Sequence, residues 1–413
     1  MKEGKIVDHL FRHQYGKMVS ILTGIFGLEH LETVEDAVQD TFVSAMLKWR
    51  VKVPDNPEAW LTQAAKNRAI DLLRKLKSSQ NRLLKLPPQA SVAALDELFL
   101  DHEIADSQLK MIFTACHPVL QPRDRIAFAL KTVAGFGANE IASSLLLKKE
   151  TVKKRLVRAR KAIQANGIEF SIPIGKSLLP RLETVHQVLY LIFNEGFHSG
   201  QKEMLIRKDL CGEAIRLVQL LLQKPALRTG AGYALFSLMC FHAARLESKV
   251  SPEGKIIDLK QQDRTLWYFP LVQLGSAALQ KSRAFPDLSE YHFEASIAQW
   301  HLRAPSFEET NWEEVLRLHR EMNAYSESPL TLLNIGIVLL ELGREEEAAG
   351  YFGRVSPSDL EQRAYLYYGA MAEYFRVVGE TDKALDYLNQ AIDGVTNSAE
   401  REHLLGKKDQ LMS

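Results

Sequence analysis

A strongly basic segment at residues 148–161 constrains this chain more than any other feature. Its sequence, KKETVKKRLVRARK, holds eight Lys or Arg residues and one Glu. At helical spacing the apolar residues of this segment and of the turn after it form one stripe: Val152, Leu156, Ala159 and Ile163. A helix that packs on one side and is cationic on the other suits the major groove of DNA. A short helical pattern at 138–147 precedes it, which predicts a helix-turn-helix; the alternative is a solvated basic face on an ordinary helix.

The two parts of the chain carry opposite net charge. Residues 1–166 contain 26 Lys or Arg and 18 Asp or Glu, a net charge of +8. Residues 167–413 contain 26 Lys or Arg and 33 Asp or Glu, a net charge of −7. The length of 413 residues is enough for roughly two or three domains. The asymmetry predicts a nucleic-acid-binding module joined to a module with another role.

Apolar residues recur at intervals of three and four with little strand alternation, which predicts an all-α fold. Clusters of Pro and Gly divide the chain into blocks at 1–78, 101–166 and 178–413, with a linker over 79–100. In the last block, an offset of 36 residues aligns Gly343 with Gly379, close to the tetratricopeptide period. We therefore predict a helical-repeat domain, with the helices of 178–327 completing the stack; the alternative is an irregular bundle.

Several protein classes do not fit this composition. The three cysteines, Cys116, Cys211 and Cys240, are scattered and form no C-x-x-C, which predicts reduced thiols and a cytoplasmic protein. Cys116 and His117 are adjacent, but a zinc site wants about four ligands, so no metal site is predicted. No apolar run approaches the roughly 18 residues of a membrane span, and no signal-peptide core is present. No catalytic constellation is visible, so the chain is not expected to be an enzyme or to bind a cofactor.

The segment at 33–49 is predicted to be a helix with two occupied faces and with Thr33 at its N-cap. Its core stripe comprises Val38, Phe42, Ala45 and Trp49. Its second face carries Asp36, Asp40, Val43 and Leu47. An exposed face that is both acidic and apolar indicates a protein partner with a basic surface, whereas the alternative is a helix buried on both sides.

Asn56 and Pro57 begin the next predicted helix, which runs to about residue 77. One stripe of this helix is polar with an aromatic residue at its start, and it comprises Trp60, Ala64, Asn67, Asp71 and Arg74. Such a face can stack and bind unpaired bases. The alternative is that Trp60 is an ordinary core residue.

These features occur in the order found in one family of transcription factors. The stretch VEDAVQDTFVSAMLKW…NPEAWLTQAAKNRAIDLLRK resembles region 2 of the sigma-70 family, and RDRIAFALKTVAGFGANEIASSLLLKKETVKKRLVRARKAI resembles its region 4. The length and spacing are similar to the extracytoplasmic-function (ECF) group, which keeps only these two regions. The motifs YLIFNEG at 190–196, EAIRL at 213–217 and QDR at 262–264 resemble a subgroup with a tetratricopeptide-like helical extension after region 4.

The resemblance implies a function in transcription initiation, with specific residues in specific roles. Asp36, Gln39 and Asp40 match the helix that docks on the β′ clamp helices of core RNA polymerase, and a contact with the β flap is also implied. Residues matching positions near the melted −10 element are Asn56, Trp60, Asn67, Arg68 and Asp71. Residues matching the helix that reads the −35 element are Thr151, Lys153, Lys154, Arg155 and Arg158.

The residue pattern assigns further roles within these surfaces. Val43 and Leu47 join the polymerase-binding face, and Arg74 joins the −10 face. Lys154 and Arg158 are expected to meet base edges, while the phosphate-binding residues are expected to be Lys148, Lys149, Lys153 and Lys161. The acidic C-terminal part is expected to regulate the sigma part, by folding back on it or by binding a signalling protein.

Two other functions remain open from the sequence alone. The chain could be a helix-turn-helix regulator with a repeat-type sensor domain, which leaves the faces of the 33–49 and 57–77 helices unexplained. It could also be a tetratricopeptide scaffold whose basic part binds RNA or acidic proteins without promoter preference. Neither alternative, nor the sigma-factor interpretation, involves a membrane.

Overall fold

The computed structural model describes residues 2–78, 101–145, 147–197, 206–251, 254–395 and 398–412. Within these ranges the chain is built from helices, and strand-type pairing is limited to one isolated antiparallel bridge between Val250 and Ile256. The all-α prediction is confirmed. The predicted linker at 79–100 lies outside the described residues.

Packing divides the chain into two compact units. The first comprises Met1–Gly196 and Arg207–Leu227, and the second comprises Phe197–Ile206 and Arg228–Ser413. The helices of the first unit are α1 (Lys2–Phe26), α2 (Leu31–Lys48), α3 (Pro57–Ser78), α4 (Asp101–Ala115), α5 (Pro122–Thr132), α6 (Ala138–Ser144), α7 (Lys149–Ala165), α8 (Leu178–Phe197) and α9 (Lys208–Gln223).

Local signals set the boundaries of α2 and α3. Asn56 caps α3 as predicted, because its Oδ1 accepts a hydrogen bond from the N–H of Ala59 at 3.0 Å. The start of α2 differs from the prediction of a cap at Thr33. A short 3-10 turn leads into α2 at Leu31, and Thr33 is an exposed residue within the helix. The turn satisfies the first backbone groups, so a side-chain cap is not required.

Helix α1 is the centre of the first unit, because it packs against α2, α3, α4, α5 and α9. Its contact with the end of α5 is unusually close. A Cβ atom on Gly16 would lie 2.1 Å from the carbonyl oxygen of Val133, so no side chain can be accommodated there without a shift of the helices. The part of the chain that forms α1 to α3 and the part that forms α4 to α7 therefore share one hydrophobic core.

Helices α8 and α9 also belong to this first unit, although the sequence places them in the C-terminal block. Lys224 Nζ, just after α9, lies 2.5 Å from Asp106 Oδ1 on α4. The guanidinium of Arg181 on α8 donates a hydrogen bond to the carbonyl oxygen of Phe113 on α4. The block boundary at 178 is thus not a boundary between packing units.

The second unit contains the rest of the C-terminal block. Its helices are α10 (Gly230–Ala243), α11 (Phe269–Ser282), α12 (Glu290–Arg303), α13 (Trp312–Tyr325), α14 (Pro329–Glu341), α15 (Glu345–Phe352), α16 (Ala364–Val378), α17 (Thr381–Gly394) and α18 (Ser398–Met412). Neighbours in sequence pack as antiparallel neighbours in space, including α14 with α15 and α16 with α17.

A 36-residue repeat relates the pair α14–α15 to the pair α16–α17. Each first helix is followed within two residues by a glycine with positive φ, 67° at Gly343 and 86° at Gly379. The next residue then donates its N–H to a carbonyl of the last turn, 2.9 Å from Arg344 N to Leu339 O and 2.8 Å for the equivalent atoms 36 residues later. Glycine adopts this left-handed conformation without the penalty that a side chain would incur. The alignment predicted from the sequence therefore coincides with the same turn in both pairs.

Candidate functional site: three exposed surfaces on the first unit

The second face of α2 is exposed, as the sequence predicted. Asp36, Gln39 and Asp40 are exposed, and the side chains of Val43 and Leu47 are 53% and 59% exposed. The opposite stripe is buried in the first unit, and it comprises Val38, Phe42, Ala45 and Trp49. The prediction that this helix is covered on one side only therefore agrees with the structure.

One further apolar residue widens this surface. Met46 is 49% exposed and lies beside Val43 and Leu47 on the helix. Methionine adapts its shape to a partner, so it adds apolar area without fixing one geometry. The α2 ridge is defined here as Asp36, Gln39, Asp40, Val43, Met46 and Leu47. Met46 was not predicted from the sequence, because it falls between the two helical stripes.

A cavity of about 300 Å³ lies between α2 and α3. This volume is at the lower end of the range for sites that hold a small organic group. Its lining is mostly polar and comprises Thr41, Ser44, Lys48, Trp60, Gln63, Ala64, Asn67, Arg68 and Asp71. Trp60, Asn67, Arg68 and Asp71 belong to the predicted −10 face, and the structure brings them together here.

The Trp60 ring is held in place by its neighbours. Trp49 is buried and meets Trp60 edge to face, with 5.5 Å between ring centroids and an interplanar angle of 71°. Lys48 Nζ lies 5.6 Å from the Trp60 ring centroid. Gln63 Nε2 donates to Asn67 Oδ1 at 3.2 Å, which fixes both amides at the cavity. Trp60 is half-buried, so the alternative of a fully buried core residue does not apply.

The remaining residues of the predicted −10 face lie elsewhere. Asn56 caps α3 and is outside the lining of the cavity. Arg74 is on α3, but its side chain is outside the described residues. Four further lining residues were not predicted from the sequence: Thr41, Ser44, Lys48 and Gln63. The first three lie on one face of α2 at spacings of three and four residues, which is the pattern that could have identified them.

Helix α7 has the two faces that its sequence predicts. The apolar stripe of Val152, Leu156, Ala159 and Ile163 is buried against the unit. The exposed cationic residues are Lys148, Lys149, Lys153, Lys154, Arg158 and Lys161. Thr151 and Arg155 are half-buried at the edge of this face. The helix-turn-helix prediction agrees with α6 packing on α7.

Two arginines of α7 are bound by residues of α5. Arg158 Nη2 lies 2.8 Å from Asp124 Oδ1, and the Asp124 side chain is only 4% exposed. Arg155 Nη1 donates to the carbonyl oxygen of Arg123 at 3.2 Å. The first turn of α5 thus contacts the cationic face of α7. Asp124 was not predicted from the sequence.

A third arginine of α7 joins this helix to α2. Arg160 is ion-paired with Glu35, whose side chain is 2% exposed. Burial raises the pKa of Glu35 above its ordinary value, and the charges of Arg160 and Lys131 offset this only in part. Glu35 is the sequence neighbour of Asp36 on the α2 ridge. Arg160 therefore stabilises the packing of α7 on α2 and is not part of the exposed cationic face.

The potential metal-ligating side chains of the described ranges are scattered. Among these residues no group of three or more His, Cys, Asp or Glu side chains is placed to hold a metal ion. All three cysteines are buried. Within the same ranges, no helix has the length and apolar content needed to cross a membrane.

Protein-family models match successive parts of the chain. Residues 10–79 match Sigma-70 region 2, which covers most of α1 and all of α2 and α3. Residues 110–163 match Sigma-70, region 4, which ends on α7. Residues 181–283 match a family of unknown function, DUF6596, which begins on α8 and ends just after α11.

Two curated relatives cover different lengths of the chain. Uncharacterized protein R00370 of Rhizobium meliloti (strain 1021) is 29% identical over 394 residues, which is 92% of this chain and 90% of the relative. ECF RNA polymerase sigma factor SigE of Mycolicibacterium smegmatis is 25% identical over 157 residues, 38% of this chain and 60% of the relative. No solved structure matches the chain. With both sigma regions matched in order, the chain belongs to the sigma-70 family as an ECF-type sigma factor with a helical C-terminal extension.

Proposed function

We propose that this sigma factor directs transcription initiation by positioning core RNA polymerase on promoter DNA through three surfaces of its first unit. The α2 ridge binds polymerase, the cavity between α2 and α3 captures an unpaired base, and α7 reads duplex DNA. The observation that carries the proposal is that all three surfaces are exposed on one unit whose interior is shared. A plain helix-turn-helix regulator would need only α7.

The α2 ridge supplies a mixed surface for a basic partner. Its carboxylates favour and orient the encounter, while the apolar side chains of Val43, Met46 and Leu47 provide area that is buried on binding. The partner proposed here is the β′ clamp helices of core polymerase, with the β flap as a second contact for region 4. This assignment follows the resemblance of Asp36, Gln39 and Asp40 to the region 2 docking motif.

The cavity offers a site for a base that has left the DNA stack. Opening duplex DNA costs about 1.4 kcal/mol per base-pair step. Stacking one base on an aromatic side chain returns about 1–3 kcal/mol. Trp60 is already fixed by Trp49, so little conformational entropy remains to be lost when a base stacks on it. One captured base offsets about one or two opened steps, so melting requires polymerase to hold the DNA as well.

The exposed face of α7 supplies both phosphate and base contacts. We assign Lys148, Lys149, Lys153 and Lys161 to phosphates. Lys154 and Arg158 are assigned to base edges of the −35 element. Thr151 and Arg155 lie at the edge of the same face, where they can contact the neighbouring strand of the DNA duplex.

The extension is proposed to regulate the sigma regions through α8 and α9. Arg207, at the start of α9, is 2% exposed and lies 3.3 Å from Glu140 of the helix-turn-helix. Arg216 Nη2 lies 3.1 Å from Gln108 Oε1 on α4. A signal received by the second unit could therefore reach region 4 through this continuous chain segment. A signalling protein that binds the second unit is the proposed source.

Co-purification with core polymerase tests the assignment of the ridge. Asp40→Arg reverses one charge in the centre of the α2 ridge and is expected to abolish retention of the full chain on core polymerase. Glu169→Arg is the matched control, because Glu169 is exposed on the same unit outside every helix. Retention of Asp40→Arg at the level of Glu169→Arg would contradict the assignment.

Two truncations test regulation by the extension. A chain ending at residue 227 keeps the whole first unit, whereas a chain ending at 177 also removes α8 and α9. Promoter-specific transcription by the 1–227 chain is expected to differ from that of the full chain. Equal transcription at every salt concentration would reject a regulatory role for the second unit. The 1–177 chain is expected to melt at a lower temperature, because it exposes the surfaces of α1 and α4 that α9 covers.

A further inference from the structure

The first turn of α5 provides a fixed carboxylate beside the DNA-reading face of α7. Asp124 is the third residue of α5, after Pro122 at the first helical position. Its backbone N–H bonds to Gln121 O at 2.8 Å, which fixes the turn. A carboxylate near a helix N-terminus is favoured by the partial positive charge of that end. Nothing in the sequence motif of the recognition helix identifies this residue, because it lies 34 positions before its partner, Arg158.

The pair is strongly asymmetric in exposure. The Asp124 side chain is 4% exposed and the Arg158 side chain is 64% exposed. The buried partner cannot reorient, so it determines where the guanidinium of the exposed partner lies. A free arginine side chain has many rotamers, and ordering it on binding is costly. Asp124 reduces that cost before DNA arrives.

The contact with Asp124 leaves the other N–H donors of Arg158 available for DNA bases. Asp124 accepts from Nη2 alone, at 2.8 Å. A guanidinium has five N–H donors, so Nε, Nη1 and the second hydrogen of Nη2 can still donate. Recognition of guanine in the major groove uses two such donors, to O6 and N7. An arginine held on one side and open on the other matches this requirement.

The same carboxylate also lowers the general affinity for DNA. Its negative charge lies beside a surface that must attract phosphates, so it weakens attraction to DNA of any sequence. A group that lowers general affinity while ordering one base-reading side chain raises specificity. We infer that Asp124 is a positioning residue that determines base specificity in the −35 element through Arg158. This inference rests on the proposed function of α7.

The two effects separate this role from a structural one. If Asp124 only stabilised the fold, its replacement would weaken binding to all DNA together. If it were only a charge, its replacement would strengthen binding to all DNA together. A positioning role predicts opposite changes, with stronger binding to random duplex and weaker discrimination at one base position. Glu150 is the matched control, because it is an exposed carboxylate in the first turn of α7.

The experiment uses the full chain bound to core polymerase. The preferred −35 element is first selected from randomised duplexes with the wild-type protein, and the position that loses preference in Arg158→Ala is identified. Affinities are then measured for the preferred duplex, for single changes at that position and for random duplex. Asp124→Asn is expected to reduce discrimination at that position by about three- to tenfold. It should raise affinity for random duplex by as much as Glu150→Gln does, while Glu150→Gln keeps full discrimination.

Further variants keep the inference falsifiable. In an Arg158→Ala background, Asp124→Asn should produce no additional loss of discrimination. Asp124→Glu retains the charge but moves it, so discrimination should fall while affinity for random duplex stays at the wild-type value; this variant serves if Asp124→Asn does not fold. Unchanged discrimination, or equal losses for all duplexes, would overturn the inference. If the wild-type complex selects no preferred sequence, the proposed function of α7 fails instead.

Discussion

The close approach of α1 to the end of α5 gives the sharpest test of how regions 2 and 4 are joined. Gly16→Ala adds one methyl group at a point where its carbon would be 2.1 Å from Val133 O and 3.0 Å from Val133 C. An ordinary contact between a carbon and a carbonyl oxygen is more than 1 Å longer than the first of these distances, so α1 and α5 must separate. Overpacking of this kind costs about 1–3 kcal/mol.

Helix propensity acts in the opposite direction. Alanine in a helix interior is more favourable than glycine by about 0.5–1 kcal/mol. Because the approach is this close, the steric cost is expected in the upper part of that range, about 2–3 kcal/mol, and the net effect of Gly16→Ala is a loss of about 1–2.5 kcal/mol. For a unit of this size, that loss lowers the melting temperature by roughly 2–10 °C.

A second glycine in the same unit isolates the steric effect. Gly212 is exposed within α9, and a Cβ atom there would meet nothing within 4 Å. Gly212→Ala therefore gains helix propensity without a steric cost, and it should raise the melting temperature of the same unit by roughly 1–4 °C. Scanning calorimetry of the two full-length variants is the assay. A Gly16→Ala protein as stable as wild type, or more stable, would refute the packing of region 2 on region 4 in a single unit.

Three further results are expected. Trp60→Ala should weaken capture of the melted strand by about 5- to 150-fold in a fluorescent-base assay of open complex. Trp60→Phe should lie nearer to wild type because phenylalanine still stacks, and equal values for the two variants would exclude stacking. If α7 and its partners contact about six phosphates, the slope of log affinity against log salt should be about −5, and a slope near zero would exclude phosphate binding. Burial lowers the pKa of His319 in the second unit to about 4, so the unfolded chain binds a proton there below about pH 6.5 that the folded chain does not. This group should contribute about 2 kcal/mol to the stability lost from pH 7 to pH 5, and His319→Gln should reduce the loss measured by urea unfolding by that amount; an unchanged pH dependence would contradict the assignment.

The sequence predicted those parts of the site that depend on local periodicity and capping. The buried stripe of α7, the cap at Asn56 and the exposed face of α2 all follow from residues three or four apart on one helix. These features are set by the spacing of apolar side chains, whichever helices finally pack against them.

The features that the sequence did not predict depend on helices that are distant in the chain. Asp124 and Arg158 are 34 residues apart, and Glu35 and Arg160 are 125 residues apart. No local pattern indicates which carboxylate an arginine will meet after folding. The placement of α8 and α9 was missed for the same reason, since their amphipathic pattern predicts a buried face but not the helices that cover it.

Run-off transcription with purified core polymerase and this chain as the sole sigma factor tests the proposed function most directly. The template carries the sequence selected by the complex, and a template with a scrambled −10 element is the control. We expect a transcript with one start site from the first template and none from the control. Transcription that is equally weak on both templates, with the chain present or absent, would contradict it.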